Sequence, residues 1–335
     1  MTIKLKPLNE QVIVITGASS GIGLVTARTA AAKGAKVMLV ARSDDELGTI
    51  VREINNAGGT ADFIVADVVD AEAMVRVASE TQARFGRIDT WINDAGVAIY
   101  AKLLQTPEDE HQKLLQTNYF GAVHGCLAAV PALKAEGGAL ITVGSIASDI
   151  GSPVMGAYSA SKHAIKAYVQ ALRIELKDMA PNVSVTLVKP AGIDTPIAQH
   201  AANHEGGEAQ IPPPVYDPQI VADAILDCAV HPRREITVGG AGRAQVLFAE
   251  HFPALFEWLA PSSGKALTDK SKAQPGPSNL FKGVRAGEER SGEQHGKTFS
   301  VYTSAAKHPR ATAAVMLGSG LLAATAVLFA NGRKK

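Results

Sequence analysis

Only two cysteines occur in the 335 residues, Cys126 and Cys228. No C-x-x-C pair exists, so neither a zinc knuckle nor a redox dithiol has its ligands here. Both cysteines lie in apolar, helix-like runs and read as reduced core residues, which suits a reducing compartment. A charge excess is missing as well: 33 Lys and Arg stand against 32 Asp and Glu, a net charge of +1. No basic stripe with interleaved aromatics occurs, which argues against nucleic acid as a partner. The N-terminal run MTIKLKPLNEQVIVITG has no long apolar segment followed by a cleavage site, so it reads without a secretory signal. No internal repeat is visible. The chain is instead 46% hydrophobic and 19% charged, an ordinary balance with ample material for a buried core.

Organisation along the chain follows from the hydrophobic periods. QVIVIT, AKVMLVA, DFIVADV, IDTWIND, ALITVGS and VSVTLVKP are short apolar, strand-like runs. Helical segments alternate with them, which predicts an α/β, Rossmann-type doubly wound parallel sheet. Gly34 fits the cap that closes the first helix. The spacing at Thr106-Pro107 predicts a long helical region with Thr106 as N-cap and Pro107 at its first position. From Ala191 to Pro218 the chain loosens, and HEGGEAQIPPPVYDP reads as an extended or mobile substrate loop. A helix, the strand EITVGG and an apolar helical stretch broken at Pro253 follow. The expected domains are a catalytic unit over 1–260, a flexible C-terminal linker over 261–310 rich in Gly, Ser, Lys, Pro and Gln, and a C-terminal apolar helix over 311–330.

That last stretch has about twenty uncharged residues, near the length that crosses a bilayer. Lys307, His308 and Arg310 precede it; Arg333, Lys334 and Lys335 follow it. It reads as a membrane anchor, or else as a helix docked on protein. Gly320 and Ala324 have the small-xxx-small spacing that lets two such helices pack.

VIVITGASSGIGLVTA joins the first strand to the first helix and contains T-G-x-x-x-G-x-G at Thr16, Gly17, Gly21 and Gly23. Glycines there permit a tight turn and a close approach to a pyrophosphate, which the helix N-terminus attracts. The second strand ends in LVARSDDEL, with Ala41 where an NAD site usually carries an acid. Arg42 and Ser43 follow. A guanidinium suits a 2′-phosphate, so NADP(H) is expected over NAD(H). The alternative has Arg42 solvated and Asp44 or Asp45 on the ribose, although both acids also suit the first turn of the next helix. Asp67, ending the third strand, is placed to accept from the adenine amino group or else to cap a helix. In NDAG, Asn93 to Gly96, the small residues allow close adenosine contact and Asn93 can brace neighbouring strands.

GAYSASKHAIKAY sets Tyr158 and Lys162 one helical turn apart, on one face. A nearby ammonium favours phenolate and is expected to lower the pKa of Tyr158 from about 10, making it a general acid or base. Ser145, at the end of the strand ALITVGS, can polarise a carbonyl oxygen. Ser148 is the alternative for that role.

The glycine turn, NDAG, Asn118 in NYFG, Ser145 in VGSIAS and Y-x-x-x-K at Tyr158 and Lys162 occur in that order. Together they resemble the short-chain dehydrogenase/reductase family over about residues 8–260. The resemblance implies a catalytic set of Asn118, Ser145, Tyr158 and Lys162. Lys162 would also bind the nicotinamide ribose, and Asn118 would hold a water linking Lys162 to solvent. The cofactor contacts it implies are Gly17, Ser19, Ser20, Gly21, Ile22, Gly23, Arg42, Ser43, Asp67, Val68, Asn93, Ala95, Gly96, Tyr158, Lys162, Pro190, Ile193 and Thr195. It also implies a homodimer or homotetramer through the long helices. Two departures stand out: Asp94 replaces the second Asn of N-N-A-G, and Ala191 replaces the Gly of P-G, which puts the local turn in question.

Other constellations are weaker. His200 and His204 in HAANH have a metal-binding spacing but no carboxylate between them, so no metal is expected. GSIAS is not a nucleophile elbow. The proline run 212–214 reads as the rim of a site rather than as a ligand for another protein. The sequence therefore points to an oxidoreductase using NADP(H) on a carbonyl or secondary alcohol; the loop's apolar and mixed residues hint at a lipophilic substrate, with a soluble xenobiotic carbonyl as the alternative. The expected setting is a cytoplasmic catalytic domain associated with a membrane through its C-terminal segment. The rival reading is a non-catalytic NADPH-binding sensor or membrane scaffold.

Overall fold

The computed structural model describes residues 3–308, apart from 275, 285 and 286, together with Thr312. The β-branched runs form strands β1 (Val12–Thr16), β2 (Lys36–Ala41), β3 (Thr60–Val65), β4 (Thr90–Asn93), the short β5 (Ile99–Tyr100), β6 (Gly138–Val143) and β7 (Val183–Pro190). Two more two-residue strands, β8 (Ala202–Asn203) and β9 (Glu208–Ala209), lie in the loop 191–218. β10 (Glu235–Val238) and β11 (Thr268–Asp269) follow. The helices between them are α1 (Gly21–Ala32), α2 (Asp44–Asn56), α3 (Ala71–Phe85), α4 (Glu108–Leu115), α5 (Gly121–Glu136), α6 (Gly156–Met179), α7 (Pro218–Cys228), α8 (Gly240–His251), α9 (Pro253–Gly264) and α10 (Val301–Lys307).

Seven strands make one parallel sheet in the order β10-β7-β6-β4-β1-β2-β3. Alternate residues of each strand face opposite ways. Ile13 and Ile15 of β1 therefore enter a core with Leu24, Leu39, Ile50 and Ile225, whereas Val14 enters one with Met74, Trp91, Leu133 and Val169. With both faces covered, all of β1 is buried, and its lack of polar alternation follows. Each such aliphatic side chain contributes about 1.5–3 kcal/mol on burial. Cys126 and Cys228 are free and buried, and burial pushes each thiol up to about 12.

Strand order reverses between β1 and β4, which opens a crevice at their carboxyl ends. The glycine turn and the NDAG segment both end there.

Three local expectations need correcting. The helical region after Pro107 is interrupted: α4 starts at Glu108 with Pro107 as its N-cap, and Thr106 bonds back to the Lys102 carbonyl instead. A π turn, Gln116–Phe120, then separates α4 from α5. The supposed linker 261–310 packs along the domain over its described part. β11 pairs with β9, and Lys297 N–H donates to Val215 O at 2.9 Å. Ser300 caps α10, and Gly239 N–H donates to Thr303 Oγ1 at 2.9 Å. Few of these ties need apolar residues, which is why composition misread the segment. The apolar stretch 311–330, Thr312 excepted, lies outside the described residues. Among the described residues no helix is long and apolar enough to cross a membrane.

Candidate active site

The turn after β1 is tight because two glycines take space that no side chain could share. A Cβ on Gly17 (φ +75°) would lie 2.8 Å from the backbone of Ala95, and one on Gly23 would lie 2.3 Å from the Gly17 carbonyl oxygen. Thr16 Oγ1 accepts from Asp94 N–H (3.2 Å) and Ala95 N–H (3.4 Å), so the turn and the end of β4 are one unit. The cleft above it has a volume of about 650 Å³. Gly17, Ser19, Ser20, Gly21 and Ile22 line it. So do Arg42, Ser43, Asp67, Val68, Ala95, Gly96, Tyr158, Lys162, Pro190, Ile193 and Thr195. This narrow glycine floor at the start of α1, with a guanidinium at one end, fits a dinucleotide phosphate chain.

Gly23 and Asn93 lie beneath the cleft instead of on its wall. The Asn93 amide is spent within the core: it accepts from Trp91 Nε1 at 2.8 Å and reaches Cys126 Sγ and Thr142 Oγ1 at 3.4 Å each. Gly125 makes room for it, since a Cβ there would lie 2.0 Å from Asn93 Oδ1. Bracing is thus its structural role. Asp67 accepts from Val69 N–H and lies 3.8 Å from Lys113 Nζ. Asp44 and Asp45 sit in the first turn of α2, where the helix dipole favours them.

Helix α6 carries Tyr158 and Lys162 into the deep end of the cleft. Lys162 Nζ lies 5.5 Å from the Tyr158 ring centroid and donates to Val143 O at 3.0 Å. Ser145 opens the turn after β6 and lines the cleft near Tyr158, and its hydroxyl accepts from Ala147 N–H at 3.1 Å. Ser148 is fully buried, and its Oγ accepts from Ser145 N–H at 3.2 Å, so it supports Ser145 from below. Asn118 sits in the π turn behind Lys162. Its amide brackets Val97, accepting from the N–H at 2.8 Å and donating to the carbonyl at 3.0 Å, and it also donates to Ser161 Oγ at 3.1 Å. A π turn is a frequent device for presenting one side chain at a functional site, and no local residue pattern marks it.

Asp149, one residue past Ser148, ties this assembly together. It pairs with Lys166 of α6 and, at 2.8 Å, with Lys189 of β7. The Asp149 and Lys189 side chains are both 3% exposed, and Lys189 also reaches Glu235 at 3.2 Å, so these buried charges form one paired network. The turn bearing Ser145 is thereby fixed to the helix bearing Tyr158.

The electrostatics reverse one expectation. Burial pushes the Tyr158 phenol up to about 12; the nearby Ser145 hydroxyl opposes this and the charge of Asp94 adds to it. Lys162 does not lower it, because its ammonium is itself pushed down to about 8 by burial, with Asp94 opposing. Asp94, the departure from N-N-A-G, is pushed up to about 7 by burial, against the pull of Lys162 and a hydrogen bond from the Gly23 backbone. Its folded value lies above its unfolded 3.8, so its contribution to stability is complete below 3.8 and is lost as pH rises to about 7. Asp94→Asn is therefore expected to gain stability over the wild type progressively across that window, as thermal melts at a series of pH values would show.

Ala191 leaves the turn intact. Its N–H donates to Val238 O at 2.8 Å. Its methyl lies where Gly239 and Gly242 have no side chain: a Cβ on either would come within 2.7 and 2.6 Å of it, respectively. His200 and His204 are not a joint site, since His204 pairs with Glu110 at 2.8 Å while His200 lines the cleft. On the far side of Tyr158 the wall is apolar, with Ile150, Met155, Ile197, Ile211, Pro212, Phe256 and Leu267. Sequence reasoning missed Phe256 and Leu267, as it missed Asn279, Gly283 and Val284 at the other end.

Residues 11–206 match the family model described as short chain dehydrogenase. The chain is 38% identical over 326 residues to the uncharacterized oxidoreductase YxnA of Bacillus subtilis, covering 94% of this chain and 90% of that one. Among solved structures it is similar to a short chain dehydrogenase/reductase from Burkholderia phymatum in complex with NAD. That likeness has a TM-score of 0.68 at 25% identity, over 75% of this chain and 96% of that one. It is also similar to an alcohol dehydrogenase from the archaeon Thermococcus sibiricus complexed with 5-hydroxy-NADP. There the TM-score is 0.60 at 27% identity, over 68% of this chain and 95% of that one.

Proposed function

Because the chain belongs to the short-chain dehydrogenase family, we propose that it moves a hydride between NADP(H) and the carbonyl or secondary alcohol of an apolar small molecule. One observation carries this reading: Tyr158, backed by Lys162, lines one cleft together with Ser145, a glycine floor and an apolar wall. The nicotinamide, when bound, supplies the hydride for reduction and accepts it for oxidation.

The chain's own groups handle the oxygen and the proton. Ser145 and Tyr158 both line this cleft, so a substrate oxygen bound against them meets two hydroxyl donors that the fold holds in advance. With its pKa held near 12, the phenol is protonated at neutral pH and is ready to give its proton to a carbonyl oxygen. The opposite direction needs phenolate, which burial disfavours. Lys162 and Asn118 hold the back of the site. The lining beyond Tyr158 offers no carboxylate or ammonium, which suits an uncharged, lipophilic substrate.

Arg42 supports NADP(H) over NAD(H), because the solved relatives include one with each kind of nucleotide and β2 ends here without an acid. Arg42→Ala is expected to weaken NADPH binding roughly tenfold or more and to leave NADH binding nearly unchanged, as charge-assisted pairs to phosphate contribute on that scale. Fluorescence titration with both cofactors checks this, and an unaltered preference would refute the 2′-phosphate role. The whole reading is tested by NADPH consumption over a panel of lipophilic carbonyls. Turnover supports it; cofactor binding with no turnover across the panel would favour a sensor or scaffold.

The same proposal includes a dimer or tetramer through the long helices, supported by the exposed apolar residues Phe120, Leu127 and Ile174. It also keeps the domain at a membrane through 311–330, supported by the length of that apolar run and its basic flanks.

A further inference from the structure

The segment after α9 is bound to both walls of the cleft. Asn279 alone reaches across it. Its N–H donates to the His200 carbonyl at 2.8 Å, and its carbonyl accepts from Arg42 Nη2 at 2.7 Å. Leu280 beside it is fully buried in the cluster that holds Val97, Ala157 and Ala202, against which Tyr158 packs. Further along, the backbone closes on the glycine turn: Gly287 N–H donates to Ser19 O at 2.8 Å, and Gly21 N–H donates to Glu288 O at 2.9 Å. Three polar ties follow. Glu289 pairs with Arg28 at 2.6 Å, and Arg290 grips Asp217 with two bonds of 2.8 and 3.0 Å. The Ser291 hydroxyl bonds to Asp194.

Two side-chain oxygens in this arrangement are unsatisfied, Asp194 Oδ2 and Asn279 Oδ1, and of the two residues Asn279 lines the cleft. Asn279 lines the cleft next to Arg42, yet its Oδ1 is shielded from solvent and has no hydrogen-bond partner. An orphaned buried amide is costly and calls for an explanation. The amide can accept from a ribose hydroxyl or, turned over, donate to a phosphate oxygen. Both groups belong to the adenosine end of a dinucleotide, which is the end Arg42 would hold.

We propose that Asn279 is a cofactor-binding residue and that 279–284 with 287–291 form a strap over the bound dinucleotide, an inference that rests on the NADP(H) reading above. The strap joins the β2 end, the glycine turn and the substrate loop, so a dinucleotide enters or leaves only when some of these bonds open. Cofactor exchange is therefore coupled to the strap, and the Asn279 carbonyl sets the Arg42 guanidinium in place.

Limited trypsin digestion of the full-length protein, followed by mass spectrometry, tests this, because Lys282 and Arg290 are cleavage points within the strap. NADPH binding is titrated by fluorescence on the same samples. Saturating NADPH is expected to slow cleavage after Lys282 and Arg290 at least fivefold. Asn279→Ala is expected to weaken NADPH roughly tenfold, the scale of one charge-assisted hydrogen bond, without lowering the melting temperature of the free protein. Leu280→Asp should make the strap cleave fast with or without NADPH. If NADPH binds but cleavage is unchanged and Asn279→Ala binds as tightly as the wild type, the strap is refuted and the cofactor reading stands. If neither NADPH nor NADH binds, the cofactor reading fails and this inference with it.

Discussion

Tyr158→Phe is expected to lower kcat for carbonyl reduction by about 10²–10⁴-fold, the usual contribution of a positioned acid–base group, while NADPH affinity stays close to that of the wild type. The variant keeps the ring, and with it the packing of Tyr158 against the cluster that holds Val97, Leu114 and Leu280, but loses the hydroxyl. The nearest ammonium is engaged elsewhere, since Lys162 donates to the Val143 carbonyl. A steady-state assay with a carbonyl that the wild type reduces, run beside a cofactor titration, separates the two effects. A variant that still turned over within tenfold of the wild type would show that the proton comes from elsewhere.

Gly23→Ala is expected to abolish measurable cofactor binding and to cost about 1–3 kcal/mol of stability, the range for forcing one extra methyl into a packed site. The new Cβ would lie 2.3 Å from the Gly17 carbonyl oxygen, 2.8 Å from its carbon and 2.9 Å from Asp94 Oδ2. Two of those three atoms are backbone and cannot swing aside, so the turn must open, and the opening moves Gly17 and Ser19 on the cleft wall. Gly58→Ala is the matched control. It lies at φ +87° with nothing within 4 Å of its new methyl, so only the left-handed backbone is strained. The control should melt slightly lower and bind cofactor normally. Equal binding by both variants would show that the turn tolerates opening.

What could be read from the residues alone was what local pattern dictates. Strand and helix periods determine the doubly wound sheet, and the glycine turn must follow β1 for its spacing to make sense. Tyr158 and Lys162 share a face because four residues make one turn. The misreadings have a common cause in distant partners. Whether the phenol is more or less acidic depends on how deeply it is buried and on Asp94, which lies far from it in sequence. That Asn93 has no amide edge left for a ligand depends on Trp91, Cys126 and Thr142 together. The stretch after Pro261 is short of apolar residues and so resembles a tether. Its attachment runs through backbone N–H and C=O groups, which every residue carries and no composition reveals.

The bonds from Gly287 to Ser19 and from Gly21 to Glu288 join nearly opposite ends of the chain. During synthesis the glycine turn leaves the ribosome among the first segments, and its partners come only after every strand of the large sheet has been made. A nascent chain can therefore display a finished sheet while one border of its main crevice is still untranslated, and such late, long-range closure is the slow kind. Polypeptides that stop at the end of α9 would keep the architecture and lack that border.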